Sequence, residues 1–178
     1  MERLLSSRQV QTALDNLYQA VAAQLPRDLP LAVVGIRTRG ETLAQRIVER
    51  LARDQEGLAV HHGVLDITFY RDDLSRRKGA PLVRATEIDF DLDDTWVLLV
   101  DDVLQTGRSV RAALDALHDF GRPAVIRLAV LIDRGGREVP IAADFIGQTV
   151  DAPAGTRVQV RLKENDGEEG VFILPKTG

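Results

Sequence analysis

Asp101 and Asp102 stand side by side, a few residues before the string Thr106-Gly107-Arg108-Ser109. That string sits where a loop turns into a helix. Backbone N–H groups, two hydroxyls and the positive end of a helix dipole can converge there on one phosphate, while Gly107 allows the backbone to approach closely. It is a phosphate cradle, but no G-x-x-x-x-G-K-[ST] string and no dinucleotide fingerprint occurs in the chain. Carboxylates beside a phosphate site repel an anion unless they bind sugar hydroxyls or the waters of a magnesium ion. A ligand carrying both a phosphate and a vicinal diol reconciles the two halves. Taken alone, paired acids after a strand also read as a helix cap or a solvated turn.

These residues must be positioned by strands and helices that the pattern announces. Trp96-Val-Leu-Leu-Val100 is apolar on both faces, as a central parallel strand is, and the helix after the cradle carries Val110, Ala113, Leu114 and Leu117 until Gly121-Arg-Pro123. Leu31-Ala-Val-Val-Gly-Ile36 is a second such strand, followed by Arg37-Thr38-Arg39-Gly40 and a helix with Leu43, Ala44, Ile47, Val48 and Leu51. Val125 to Ile132 is a third buried strand. Ser6 and Gln9 have capping-box spacing ahead of a helix bearing Val10, Leu14, Leu17, Val21 and Leu25, which Pro26 closes. The alternation of Leu65, Ile67 and Phe69 predicts a strand over 64–69. Val158 to Leu162 and Val171 to Leu174 predict two short strands flanking an acidic 163–170 hairpin connection.

Repeated strand-loop-helix units imply a doubly wound α/β sheet whose ligands bind beyond the carboxyl ends of the strands, so loops 37–40, 101–109 and 133–137 converge. The 70–94 stretch is charged at both ends, broken by Gly79-Ala-Pro81 and weakly periodic. A loop of that length in a compact domain is usually functional, and it reads as a mobile lid. The expectation is one domain over 1–178.

Of 178 residues, 44% are hydrophobic and only 4% aromatic, so the core is aliphatic. There is no cysteine, which excludes disulfides, thiolate nucleophiles and Cys-based zinc sites. With no basic-plus-apolar leader and no long apolar run, a soluble cytoplasmic protein is the expectation. A net charge of −4 argues against binding nucleic acid through overall charge, although a local basic face is compatible with it.

The thirteen residues Val97-Leu-Leu-Val-Asp-Asp-Val-Leu-Gln-Thr-Gly-Arg-Ser109 resemble the signature of type I phosphoribosyltransferases, which bind phosphoribosyl pyrophosphate (PRPP). Ile67-Thr-Phe-Tyr-Arg-Asp-Asp-Leu74, Leu131-Ile-Asp-Arg-Gly-Gly-Arg-Glu-Val-Pro-Ile141 and Ala143-Asp-Phe-Ile-Gly147 resemble the bacterial pyrimidine operon regulators, a family combining uracil phosphoribosyltransferase activity with RNA-binding attenuation. The resemblance runs from about Arg8 to Leu162. It implies a type I phosphoribosyltransferase fold, a mainly parallel sheet with a small hood region. It also implies conversion of uracil and PRPP to UMP and pyrophosphate with Mg2+ bound alongside PRPP, and a homodimer or a tetramer of dimers.

Carried over by position, the resemblance assigns Asp101 and Asp102 to the ribose hydroxyls. It gives the 5′-phosphate and its surroundings to Val103, Leu104, Gln105, Thr106, Gly107, Arg108 and Ser109. Thr38 and Arg39 contact pyrophosphate, Arg71 closes over it, and Arg134 and Val158 line the uracil end. The residues themselves leave alternatives open: Thr38-Arg39 as an ordinary turn, Arg71 as a solvated charge, Arg134 and Val158 as packing. Gln105 stands where the regulators usually carry Tyr, and Ser109 where they carry Thr. His61, His62 and His118 match no functional position, and Tyr70 reads either as loop packing or as substrate cover.

Regulators of this family carry basic residues on the first helix and after the third strand. Here the first helix offers Asp15, Asn16, Gln19 and Gln24, and Gly136, Ala142 and Gln148 occupy further positions of that face, with Arg137 retained. The expectation is weak binding of a pyrimidine-operon mRNA leader. Two other readings compete with the bifunctional one: a UMP-sensing attenuator with vestigial catalysis, and a phosphoribosyltransferase for another base.

Overall fold

The computed structural model describes residues 1–72 and 85–175. Five parallel strands form the main sheet in the order β3-β2-β4-β5-β6: β2 Leu31–Ile36, β3 Val60–Leu65, β4 Trp96–Leu104, β5 Val125–Asp133 and β6 Phe145–Thr149. Three helices flank it, α1 Ser7–Ala22, α2 Arg39–Asp54 and α3 Arg108–His118. Side-chain alternation sorts the central strands between two cores. Leu31 and Val33 of β2 and Leu98 and Val100 of β4 pack with α1 and α2, while Ala32, Val34, Val97 and Leu99 pack with Val110, Ala113 and Leu117 of α3. Helices on both faces explain why these strands read as continuous apolar runs.

A second, antiparallel sheet of order β1-β8-β7 joins β1 Glu2–Leu5 to β7 Thr156–Arg161 and β8 Gly170–Pro175, with the one-turn helix α4 Lys163–Asp166 connecting the last two. This is the small hood. Its core side chains Leu5, Val160, Leu162 and Val171 belong to the same cluster as α1 and α2, which seats it on that side of the main sheet.

The capping box at the start of α1 is formed: the Ser6 N–H donates to Gln9 Oε1 at 2.9 Å and the Gln9 N–H to Ser6 Oγ. Three expectations need correction. The strand expected over 64–69 lies earlier, at Val60–Leu65, and the chain then turns through a 3-10 turn at Thr68–Tyr70, leaving Phe69 exposed. The strand expected to stop at Val100 continues through both acids, because Asp101 pairs with Val130 and Val103 with Ile132 of β5. The first helix ends at Ala22 rather than at Pro26. Of the lid expected over 70–94, residues 73–84 lie outside those described.

Candidate active site

The carboxyl ends of β2 and β4 and the N-termini of α2 and α3 enclose one cleft, resolved as two adjoining cavities. The first, about 360 Å³, is lined by Ile36, Arg37, Thr38, Arg39, Asp66, Ile67, Thr68, Arg71, Asp101, Asp102, Val103 and Ser109. The second, about 460 Å³, is lined by Leu104 to Val110 and Val158, and shares Arg71, Asp101, Val103 and Ser109 with the first.

The second cavity holds the loop read from the sequence as a phosphate cradle. Gly107 caps α3 with φ of +86°, and a Cβ there would fall 2.7 Å from Val139 Cγ2, so only glycine fits both the conformation and the space. Thr106 Oγ1 accepts the Arg108 N–H at 3.2 Å. Arg108 turns outward instead, donating to Glu138 at 2.7 Å and to Asp72 at 2.5 Å. The 133–141 segment supports the cradle from below. Arg137 donates to the carbonyls of Ile141 and Gln105 at 2.8 and 3.0 Å, and to Asp133 Oδ2 at 2.6 Å. Arg137, which the sequence assigns to an RNA-facing surface, is therefore engaged inside the site's scaffold.

The first cavity has the charge pattern of a polyanion site with an acidic floor. The N-terminus of α2 reaches it directly, because Gly40 lets that helix ride on β4: a Cβ at Gly40 would sit 2.5 Å from the Val100 carbonyl oxygen. Thr38 makes no capping bond with its side chain. Arg39 donates from Nε and Nη2 to both oxygens of Asp166, at 3.1 and 2.6 Å. Burial raises the Asp166 carboxyl, but the Arg39 bond, the Leu162 N–H and the charges of Arg39 and Arg161 outweigh it and hold it below the usual range. Arg71 donates to Ser109 Oγ at 3.0 Å on the boundary between the two cavities.

Between them lie the paired acids. Asp101 is only 7% exposed and accepts the Asp102 N–H at 2.9 Å. Burial, then the neighbouring charge of Asp102, pushes Asp101 well above the ordinary carboxylate range. Burial also raises Asp102, which its bond with Asp101 and the Arg39 charge partly oppose. A carboxylate pair at the edge of a cavity, one acid buried and the other half-buried, is a receptor for hydroxyl donors or a hydrated cation. Among the described residues no group of three or more His, Cys, Asp or Glu could hold a metal by itself. Oxygen donors of this kind suit magnesium that arrives with oxygens of its own ligand.

Of the residues singled out from sequence, the structure brings Thr38, Arg39, Arg71, Asp101, Asp102, Val103, Leu104, Gln105, Thr106, Gly107, Arg108, Ser109 and Val158 to this cleft. Arg134 lines neither cavity; it donates to the carbonyls of Thr156 at 2.7 Å and Ala152 at 3.4 Å, tying β5 to the hood at the start of β7. Tyr70 donates its hydroxyl to Asp119, which makes it packing on the α3 side. Sequence reasoning missed Arg37, Asp66 and Thr68. Asp66 accepts the Thr68 N–H at 2.8 Å and shapes the floor of the first cavity, and Arg37 clamps the 85–87 segment through the Ala85 carbonyl and Glu87. Thr68 lies inside the quoted 67–74 string and Asp66 directly before it, which was the signal available.

The chain matches the family model described as phosphoribosyl transferase domain over residues 4–161. It is 50% identical over 177 residues to the "Bifunctional protein PyrR" of Roseiflexus sp. strain RS-1, covering 99% of this chain and 96% of that protein. It is 56% identical over 144 residues to the protein of the same name from Pelotomaculum thermopropionicum, covering 81% and 79%. Among solved structures it is similar to the hypoxanthine phosphoribosyltransferase of Trypanosoma cruzi, with a TM-score of 0.67 at 18% identity over 99% of this chain and 98% of that one. It is also similar to the HGPRT-ase of Leishmania tarentolae in complex with GMP, with a TM-score of 0.68 at 17% identity over 99% and 97%.

Proposed function

The chain belongs to the phosphoribosyltransferase family, and from that premise we propose that it is a uracil phosphoribosyltransferase and pyrimidine operon regulator, converting uracil and PRPP to UMP and pyrophosphate. The observation that carries the reading is the set of groups brought to one cleft: the 106–109 cradle and Val158 line one cavity, Thr38, Arg39 and Asp102 the other, and Asp101, Arg71 and Ser109 line both. PRPP carries the complementary groups: a 5′-phosphate, a ribose diol and a diphosphate. The relatives' name, "Bifunctional protein PyrR", supports both the pyrimidine base and the second, regulatory role, with a pyrimidine-operon mRNA leader as its partner.

In this mechanism the N–H groups of the α3 N-terminus and the hydroxyls of Thr106 and Ser109 hold the 5′-phosphate, which fixes the sugar. The ribose hydroxyls donate to Asp101 and Asp102, adding donors to the one that Asp101 already has in the Asp102 N–H. Those negative charges also favour the positive charge that develops at the anomeric carbon as the diphosphate leaves. Arg39 and Arg71 face the departing pyrophosphate, which the bidentate geometry of guanidinium suits. Asp101 and Asp102 would hold a magnesium ion that arrives with the substrate, and the ion would supply further charge neutralisation at the leaving group. Arg134 acts on the base end indirectly, by anchoring the strand that carries Val158.

Pyrophosphate release from PRPP, measured with uracil and in parallel with hypoxanthine, guanine, adenine and orotate, tests this reading. Release with uracil alone is expected. Turnover of a purine instead would replace the base assignment while leaving the PRPP site standing.

No membrane-crossing helix is present among the described residues. The homodimer or higher oligomer implied by the resemblance is retained as part of the proposal.

A further inference from the structure

The hood is fastened to the diphosphate end of the cleft by one face of α2. Arg39, Thr42 and Arg46 follow one another at helical spacing and each takes a partner from the connection between β7 and β8. Thr42 donates to Asn165 at 2.8 Å, Arg46 to Glu164 at 2.8 and 2.6 Å, and Arg39 to Asp166 from Nε and Nη2. Arg39 and Asp166 are both mostly enclosed, with side chains 26% and 16% exposed, as is Arg46 with its second partner Glu169, but of the two arginines only Arg39 lines the first cavity. Asp166 is itself fixed by accepting the Leu162 N–H at 2.9 Å. The side-on fork engages only Nε and Nη2, Nη1 has no partner among the described residues, and Arg39 still lines the first cavity.

We propose that Asp166 is a positioning residue for the leaving diphosphate: it locks the Arg39 guanidinium side-on, so that the remaining N–H groups are aimed into the cleft. This rests on the reading of Arg39 as a diphosphate ligand and adds the hood, 127 residues away in sequence, to that subsite. An arginine held by one carboxylate loses less rotamer freedom when it takes up a second anion, which is the general benefit of preorganisation. Asp166 also brings a negative charge near an anion, so its contribution has a definite sign to be measured.

The test compares the unmodified protein with Asp166→Asn, Arg39→Ala and the double variant, reading the PRPP KM, inhibition by pyrophosphate, UMP affinity and thermal midpoint. Asn keeps an acceptor for the Leu162 N–H and removes the charge. Asp166→Asn is expected to weaken PRPP and pyrophosphate about tenfold with UMP affinity unchanged, and to have no further effect when Arg39 is already Ala. An equal loss in the Arg39→Ala background, a parallel loss of UMP affinity, or tighter pyrophosphate binding by Asp166→Asn would overturn the inference. If Arg39→Ala leaves pyrophosphate inhibition untouched, the diphosphate reading of Arg39 itself is what fails, and this inference falls with it.

Discussion

Asp101 Oδ1 accepts the backbone N–H of Asp102 at 2.9 Å, so two consecutive acids at the end of a central strand are joined, the first buried and the second half-buried. Burial is the main cause of the raised Asp101 carboxyl, with the Asp102 charge next. A group whose folded pKa lies above its unfolded value binds more protons when folded, so stability falls as pH rises from the unfolded carboxylate range through the folded value. Asp101→Asn is therefore expected to melt higher than the unmodified protein at neutral pH, by about 2–4 °C for each kcal/mol relieved. The gap should close below the ordinary carboxylate range, where both states carry a protonated acid. Asp102→Asn should cut turnover at least tenfold, about 1.4 kcal/mol, in a folded protein. Calorimetric melts against pH and steady-state kinetics check the two halves, and unchanged kinetics would remove the ribose assignment.

The cradle's glycine is constrained twice. Gly107→Ala meets both a φ of +86° and Val139 Cγ2 at 2.7 Å. A cost of about 1–3 kcal/mol in stability is expected from the backbone alone, with at least a tenfold loss of UMP affinity as the N–H groups at the start of α3 shift. Adding Val139→Ala removes the nearest clashing atom and should recover part of the affinity while the φ penalty persists. Titration calorimetry with UMP reads the difference, and unchanged UMP affinity in Gly107→Ala would remove the cradle.

What sequence could and could not reveal follows from where the signal lies. The central strands were legible because burial on both faces leaves them uninterrupted, as in Val97 to Val100. The extension through Asp101 and Asp102 was hidden because acids at a strand end look like a turn, yet their backbones still pair with β5. The third strand was misplaced because Leu65, Ile67 and Phe69 continue to alternate past its end, while His61-His62-Gly63 inside it carries little strand character. The strands β1 and β6 are short sheet-edge strands with little pattern to read. In the site, the phosphate loop is contiguous and so announces itself. The Arg39–Asp166 and Arg137–Gln105 contacts join distant stretches, and no local pattern encodes them.

Arg137 illustrates the point and yields a prediction. Its three bonds tie the Gln105 carbonyl of the cradle to Asp133 and Ile141. The Arg137 bond is the largest reason that the Asp133 carboxyl sits below its usual range, with burial opposing. A lowered carboxylate contributes stability above the ordinary carboxylate range and loses it as pH falls through the folded value. Arg137→Ala should cost about 1–3 kcal/mol at neutral pH, since polar groups of the scaffold lose their donor, and the deficit should shrink under acid. UMP affinity should fall in the absence of any RNA. A variant that lost only RNA binding would return Arg137 to the outer surface.

The RNA partner is tested by the sign and number of free charges. Asp15 on the first helix holds Arg50 at 2.5 Å, Arg3 and Arg161 both pair with Glu168, Arg127 lies 3.6 Å from Asp144, and Arg137 is spent inside the site. Of Arg3, Arg8, Arg122, Arg127, Arg137, Arg157 and Arg161, the set that could assemble a basic patch, Arg8, Arg122 and Arg157 are exposed without an ion pair among the described residues, and they sit on α1, on the connection after α3, and on β7. A face of this kind neutralises few phosphates, and each phosphate contact contributes roughly 0.7–0.9 to the slope of log affinity against log salt. The net charge of −4 adds no attractive field. Titration of a pyrimidine-operon leader hairpin at two salt concentrations, with and without UMP, should give weak binding with a slope no steeper than about −3. Tight binding that UMP strengthens, with a steep slope, would show instead that the regulatory half draws on a denser basic surface than these arginines supply. Clear UMP synthesis beside a shallow slope would leave catalysis as the role to which this cleft's charges are committed.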